Sequence, residues 1–274
     1  MPVPFGMPTL IETKTPDDCA KLCRELGLSF VELNMNLPEY QADALDVKHL
    51  LDIAGEYGIS YTLHLDENLN PCDFNDRVSK AYTDTAISAI LKARQLSAPI
   101  LNMHVNPGVY FTLPDKKVFL FEEYEPEYLR KLTVFRDACE QAAGSSGMVV
   151  CLENCGHYGS LPYMRKGLDL LLESPVFALT WDVGHNAAAD YSDEPTLIER
   201  LHRLRHIHLH DADGRSNHLV LGEGSVDLMK YLDLAEKQDC RVVLEVKTAD
   251  GLRRSVEWIN RETPHYNLRH RERP

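Results

Sequence analysis

A single-domain α/β protein built as a (β/α)8 barrel is the fold this sequence predicts, on three observations. Eight short apolar runs rich in β-branched residues punctuate the chain, amphipathic segments with helical spacing follow most of them, and no G-x-G-x-x-G turn follows the first run. The last point argues against a doubly wound dinucleotide-binding sheet. At 274 residues, 44% hydrophobic and 26% charged, the chain can bury one large core of this kind.

The runs are PTLIE (8–12), SFVELN (29–34), SYTLH (60–64), PILNMH (99–104), MVVCLEN (148–154), FALTWD (177–182), RHIHLH (205–210) and RVVLEV (241–246). After the first, Thr15-Pro16-Asp17-Asp18 reads as a helix N-cap, a proline at the first helical position and acids in the first turn. Between Glu125 and Ala143 the apolar positions Tyr128, Leu129, Leu132, Phe135, Cys139 and Ala142 recur at steps of three and four, which predicts a helix with one buried stripe. After the seventh run, Gly222-Glu223-Gly224 allows a tight reversal into a helix opening near Ser225, with Asp227 in its first turn. Beyond Trp258 the chain turns polar and basic, with Arg261, Arg269, Arg271 and Arg273. The expected division is therefore a barrel over 1–258 and an exposed or partner-docking tail over 259–274.

Charge narrows the partners. With 29 Lys and Arg against 42 Asp and Glu, the formal charge of -13 repels a phosphate backbone at long range and disfavours nucleic acid. MPVPFGMPTL has no basic region ahead of an apolar run, and no apolar stretch approaches the ~20 residues needed to cross a bilayer. Seven cysteines without regular spacing point to reduced thiols in a cytoplasm rather than a disulfide framework. Cys19 and Cys23, one helical turn apart, read as small core residues. A small-molecule substrate is the expected partner, with self-association into a homo-oligomer left open.

What terminates the apolar runs is more telling. They finish at Glu32, His64, His104, Glu153, Asp182, His208 to Asp211, and Glu245. Strand side chains alternate between faces, so an inward Glu153 carries Cys151 and Cys155 with it and sends Leu152 to the helices. By the same parity Val243 and Glu245 point inward, as do His206, His208 and His210, with Ile207 and Leu209 in the barrel–helix layer. In a barrel these ends converge on the C-terminal face, where active sites lie. Each residue alone has a plainer reading: His206 as a packed core histidine, Glu32 as the partner of a buried base, Asp182 as a helix N-cap. Together, buried acids and imidazoles sharing one cavity are unstable unless a cation joins them. The mixed donor set suits Zn, Mn, Co or Fe more than Ca or Mg, with one or two ions per chain expected. His49, His202, His265 and His270 fall in helical or tail segments and read as surface residues.

In this order, YTLH, NMHVNPG, CLEN, WDVGHN, HIHLHDADG, LGEG and LEV resemble the xylose isomerase-like TIM barrel superfamily. That superfamily includes sugar-phosphate isomerases and epimerases and the endonuclease IV enzymes, and the motifs span nearly the whole barrel. The resemblance implies a metal held by Glu153, Asp182, His208 and Glu245, and it places His64 and His104 where endonuclease IV relatives complete a multinuclear zinc site. Their third zinc uses an Asp-x-His pair before LGEG. Here His218 matches but Ser216 replaces the aspartate, which together with the acidic charge argues against an abasic-site nuclease.

Two chemistries follow from the resemblance. In an isomerase or epimerase, or a related lyase, the metal stabilises an enediolate of a small sugar or polyol while Glu153 and Glu245 act as the acid/base pair. His185 then holds substrate oxygens, Glu32 binds a hydroxyl or orients a ligand, and His210 and Asp211 orient ligands or touch substrate at the rim. In a phosphodiester hydrolase, two metals share Glu153, with His64, His104, His185 and His218 supplying further coordination or phosphate contacts, on a non-DNA substrate. A catalytically silent metal-binding barrel is the third class, and it leaves the convergent acids unexplained.

Overall fold

The computed structural model describes residues 3–266 and 268. Eight parallel strands close into a barrel: β1 (Phe5–Pro8), β2 (Phe30–Asn34), β3 (Ser60–His64), β4 (Ile100–His104), β5 (Val149–Glu153), β6 (Phe177–Asp182), β7 (Leu204–Leu209) and β8 (Arg241–Leu244). Each strand pairs with its neighbours in sequence, and β8 returns to β1. Helices cover the outside. Thr15 caps Pro16–Glu25 by accepting the Asp18 N–H at 3.1 Å. Glu125–Ala143 buries Tyr128, Leu132, Phe135 and Cys139 along one stripe, as its spacing predicts. All seven cysteines are free thiols, and among the described residues no helix is long and apolar enough to cross a membrane.

The first strand ends on Pro8, the opening residue of PTLIE, whose Ile11 and Glu12 form a turn instead. Gly6 explains the difference, because a Cβ there would stand 2.5 Å from the ring of Phe30 on β2. Glycine lets the two strands close, while flanking prolines and glycine read locally as loop. At the other end, the helix Ala249–Glu262 carries the chain past Trp258, and Tyr266 packs edge-on against Phe5 of β1 at 5.3 Å between ring centroids. Tyr266 and Leu268 are buried, so packed structure extends beyond the expected break at 258. Arg269, Arg271, Arg273 and His270 lie outside the described residues.

Two hairpins leave the strand ends without having been foreseen: Tyr110–Thr112 with Lys117–Phe119, and Asp211–Asp213 with Ser216–Leu219. The second is tied to the G-E-G loop by Asp211. Its Oδ1 accepts the N–H groups of Ala212 at 2.9 Å and Val226 at 3.1 Å, and its Oδ2 those of Gly222 and Gly224, both at 2.9 Å. Gly224 has no room for a side chain, since a Cβ would meet Asp211 Oδ1 at 2.3 Å. The following helix, Leu228–Lys237, opens later than expected, with Asp227 as its cap rather than in its first turn. Asp211 is therefore an anchor for the loop: its lone pairs are spent on backbone donors, and the expected role at the substrate rim is replaced by this one. Asp211→Ala leaves four N–H groups, that of buried Ala212 and three nearer the surface, without their acceptor and should lower the unfolding free energy by about 2 kcal/mol in urea denaturation; a change below ~0.5 kcal/mol would contradict the assignment.

Candidate metal centre

Register builds the centre. Across the sheet His104 pairs with Glu153, Asp182 with His208, and His208 with Val243, so residues from successive strands reach one level of the barrel. His206, His208 and His210 are all fully buried and inward, while Ile207 and Leu209 join the main apolar core. Cys151 sits lower in the interior with Ile100 and Ala178. The expected parity is therefore the observed one.

Glu153, Asp182, His208 and Glu245 each offer one donor atom, all within 4.8 Å of one another. Nδ1 of His208 lies 3.1 Å from Glu245 Oε2, 3.5 Å from Glu153 Oε2 and 3.8 Å from Asp182 Oδ2. His208 Nδ1, Glu245 Oε2 and His185 Nδ1 are buried and make no hydrogen bond. Buried polar atoms without partners are rare in folded proteins, and three of them around one point, among carboxylates, fit a bound cation.

Further histidines surround Glu153. Nε2 of His64 and of His104 approach its Oε2 at 3.3 and 3.2 Å, and Nδ1 of His185 approaches its Oε1 at 3.3 Å. His218 is near, with Nδ1 donating to the Glu245 carbonyl at 3.1 Å. A cavity of about 320 Å³ at the mouth is lined by His104, Cys155, His185, Ala188, Ala189 and Asn217, within the size range of small-molecule sites. A wider groove of about 820 Å³, beside Tyr191 and Lys230, shares none of these residues.

Of the roles expected for Glu32, pairing with a buried base and orienting a ligand fit its position, and binding a substrate hydroxyl does not. Because β2 continues to Asn34, Glu32 sits one level deeper, buried beneath His208 rather than facing substrate. Its Oε2 accepts from Thr62 Oγ1 at 2.8 Å and meets His206 Nε2 at 2.9 Å, and its Oε1 lies 2.8 Å from His208 Nε2, off the hydrogen-bond line. A carboxylate behind a ligand imidazole orients the ring and raises its basicity. Sequence reasoning missed Asn102, whose amide donates to Glu153 Oε2 and accepts from Thr180 Oγ1. It also missed Asn154, which bonds the Asp182 backbone on both sides, at 3.0 and 2.8 Å. Both stand in the quoted motifs, NMHVNPG and CLEN; inward parity marked Asn102 alone, since Asn154 has the outward parity of Leu152.

Electrostatics follow the crowding. Burial pushes the Glu153 carboxyl up, but the charges of His104 and His208 outweigh it and hold Glu153 well below the usual carboxylate range. Burial is likewise overcome at Glu245, chiefly by His208. Burial opposes charge on the imidazoles too, yet Glu153 lifts both His208 and His104 well above the ordinary value. Asp182, against burial, raises His185 to about 9, while burial dominates at His218 and lowers it to about 4. Protonated imidazoles thus hold the positive charge that the acids require.

Comparison with known proteins agrees with this architecture. The sequence profile of the xylose isomerase-like TIM barrel family matches residues 20–262. The chain belongs to this family. Among solved structures, a D-tagatose 3-epimerase-like protein superposes with a TM-score of 0.77 at 21% identity, covering 97% of this chain and 98% of that one. The 3-keto-D-glucoside 4-epimerase YcjR from E. coli superposes with a TM-score of 0.76 at 14% identity, covering 94% and 99%. Uncharacterized protein MJ1311 of Methanocaldococcus jannaschii is 25% identical over 198 residues, which span 69% of this chain and 64% of that protein.

Because His104, His185 and His208 are held protonated by the acids, a cation must displace protons to enter. Metal affinity should therefore rise with pH, by roughly tenfold per pH unit for each proton released. Calorimetry of Zn²⁺ or Co²⁺ binding between about pH 6 and 8, in buffers of different ionisation enthalpy, measures both quantities. Binding that is independent of pH would contradict this picture.

Proposed function

We propose that this chain is a divalent-metal-dependent isomerase or epimerase, or a related lyase, acting on a small sugar or polyol. The observation that carries the reading is the placement of Glu153 and Glu245, whose carboxylates approach one point from β5 and from the end of β8, on either side of Asp182 and His208. The donor set suits Zn, Mn, Co or Fe. When bound, such an ion neutralises negative charge developing on adjacent carbonyl and hydroxyl oxygens of the substrate. Glu153 and Glu245, held as carboxylates by their imidazole neighbours, are bases at neutral pH; one removes a carbon-bound proton and the other returns it. His185, at the cavity mouth and within 3.3 Å of Glu153, holds a substrate oxygen next to the proton-transferring group. The chemistry requires no organic cofactor.

One observation favours a second reading, hydrolysis of a non-DNA phosphodiester. His64 donates Nδ1–H to the Leu65 carbonyl at 2.7 Å, which leaves Nε2 as an acceptor facing Glu153 Oε2. Only a proton or a second cation reconciles two facing acceptors, and paired cations sharing a carboxylate serve phosphodiester cleavage.

The test is solvent-deuterium incorporation at carbon across a panel of ketoses, run against turnover of a model phosphodiester. Glu153→Gln and Glu245→Gln should each slow the exchange by about 10²–10⁴-fold while circular dichroism stays native. Phosphodiester turnover without carbon exchange would replace the first reading with the second.

A further inference from the structure

His210 has surroundings that the proposed chemistry does not require. Its ring is fully buried and both nitrogens are engaged. Nδ1 lies 2.8 Å from the backbone nitrogen of His218, and Nε2 lies 3.0 Å from Asp182 Oδ1 and 3.2 Å from Oδ2. A backbone N–H only donates, so Nδ1 carries its lone pair there. The Asp211 carbonyl is farther from that nitrogen, at 3.4 Å. The neutral ring then has its proton on Nε2, aimed at Asp182.

The chain around the ring is shaped for this arrangement. A Cβ on Gly184 would stand 2.0 Å from His210 Cε1, so only glycine admits the ring. His218, which supplies the N–H, has a φ of 55°, in the left-handed region that side chains other than glycine rarely adopt. Its own ring stacks on His210 with centroids 4.2 Å apart and planes 26° apart. The hairpin bearing His218 is in turn anchored by Asp211 through the G-E-G loop.

Asp182 uses Oδ1 to accept the His185 N–H at 2.6 Å, while Oδ2 faces Nδ1 of His185 at 3.2 Å and of His208 at 3.8 Å. Resting on the metal-site reading above, we propose that His210 is a positioning residue, fixed as the Nε2–H tautomer by the hairpin backbone, that holds the Asp182 carboxylate in place beside the cation site. His185, His210 and His218 also bring donor atoms within 4.8 Å of one another, but His210 could join a cation there only by giving up one of its present partners.

The test titrates metal-free wild type, His210→Asn and His210→Gln with Co²⁺, reading affinity, stoichiometry and the visible d–d spectrum. Long-range ¹H–¹⁵N spectra of the metal-free wild type read the tautomer. A glutamine amide reaches about as far as Nε2 and can still donate to Asp182, whereas an asparagine amide reaches only about as far as Nδ1. His210→Asn should weaken Co²⁺ binding by about 10–100-fold, His210→Gln should recover most of that loss, stoichiometry should not change, and His210 should appear as the Nε2–H tautomer. An Nδ1–H tautomer, unchanged affinity in His210→Asn, or loss of a whole ion per chain would overturn the positioning role. A wild type that binds no Co²⁺ would overturn the metal-site reading along with it, whereas normal wild-type binding with insensitive variants would overturn the positioning role alone.

Discussion

The carboxylates of Glu153, Asp182 and Glu245 share one buried point with a single imidazole, His208, at the C-terminal end of a barrel. Like charges at such separations, away from water, cannot all remain ionised without compensation. The structure answers with positive charge from several directions: His104, His185 and His208 are all held above the ordinary imidazole range by these acids. A cation would replace that protonic charge with one fixed centre.

Much of the interior beneath this point reads as support for it. Glu32 links His206 and His208, Thr62 braces Glu32, Thr180 braces Asn102, and Asn102 braces Glu153. A barrel of this kind normally fills with branched apolar residues. Here polar side chains occupy the level below the candidate metal-binding residues and hold them in place, while the apolar packing is carried by the layer between strands and helices. The rim is built in the same way, with Asp211 spending its carboxylate on four N–H groups so that His218 and His210 hold their places.

Parity and spacing were enough to read the barrel and its inward ends, because alternation along a strand is a local property that sequence displays directly. His208, Glu153 and Asp182 could be placed for that reason. Glu32 was legible as a residue that pairs with a buried base or orients a ligand; that it does so from beneath His208 depends on how far β2 runs past it, which register with β3 decides. Asp211 looked like a rim residue that orients ligands or touches substrate because three of the N–H groups that occupy it, those of Gly222, Gly224 and Val226, lie eleven to fifteen residues downstream. The first strand was hidden by Gly6, whose value lies in contact with Phe30 rather than in propensity. The hairpin carrying His218 did have a signal, Gly214, which with a φ of 54° opens the two-residue turn Gly214-Arg215 between the paired Asp213 and Ser216.

Anomalous X-ray diffraction from crystals grown with Mn²⁺ or Zn²⁺ tests the central claim most directly. The account predicts a peak among the side chains of Glu153, Asp182, His208 and Glu245, at about 2.0–2.3 Å from their donor atoms. A second peak between His64, His104 and Glu153 would move the chemistry toward phosphodiester cleavage. No peak at the four-residue centre, with the ion available and the carboxylates in place, would contradict the account.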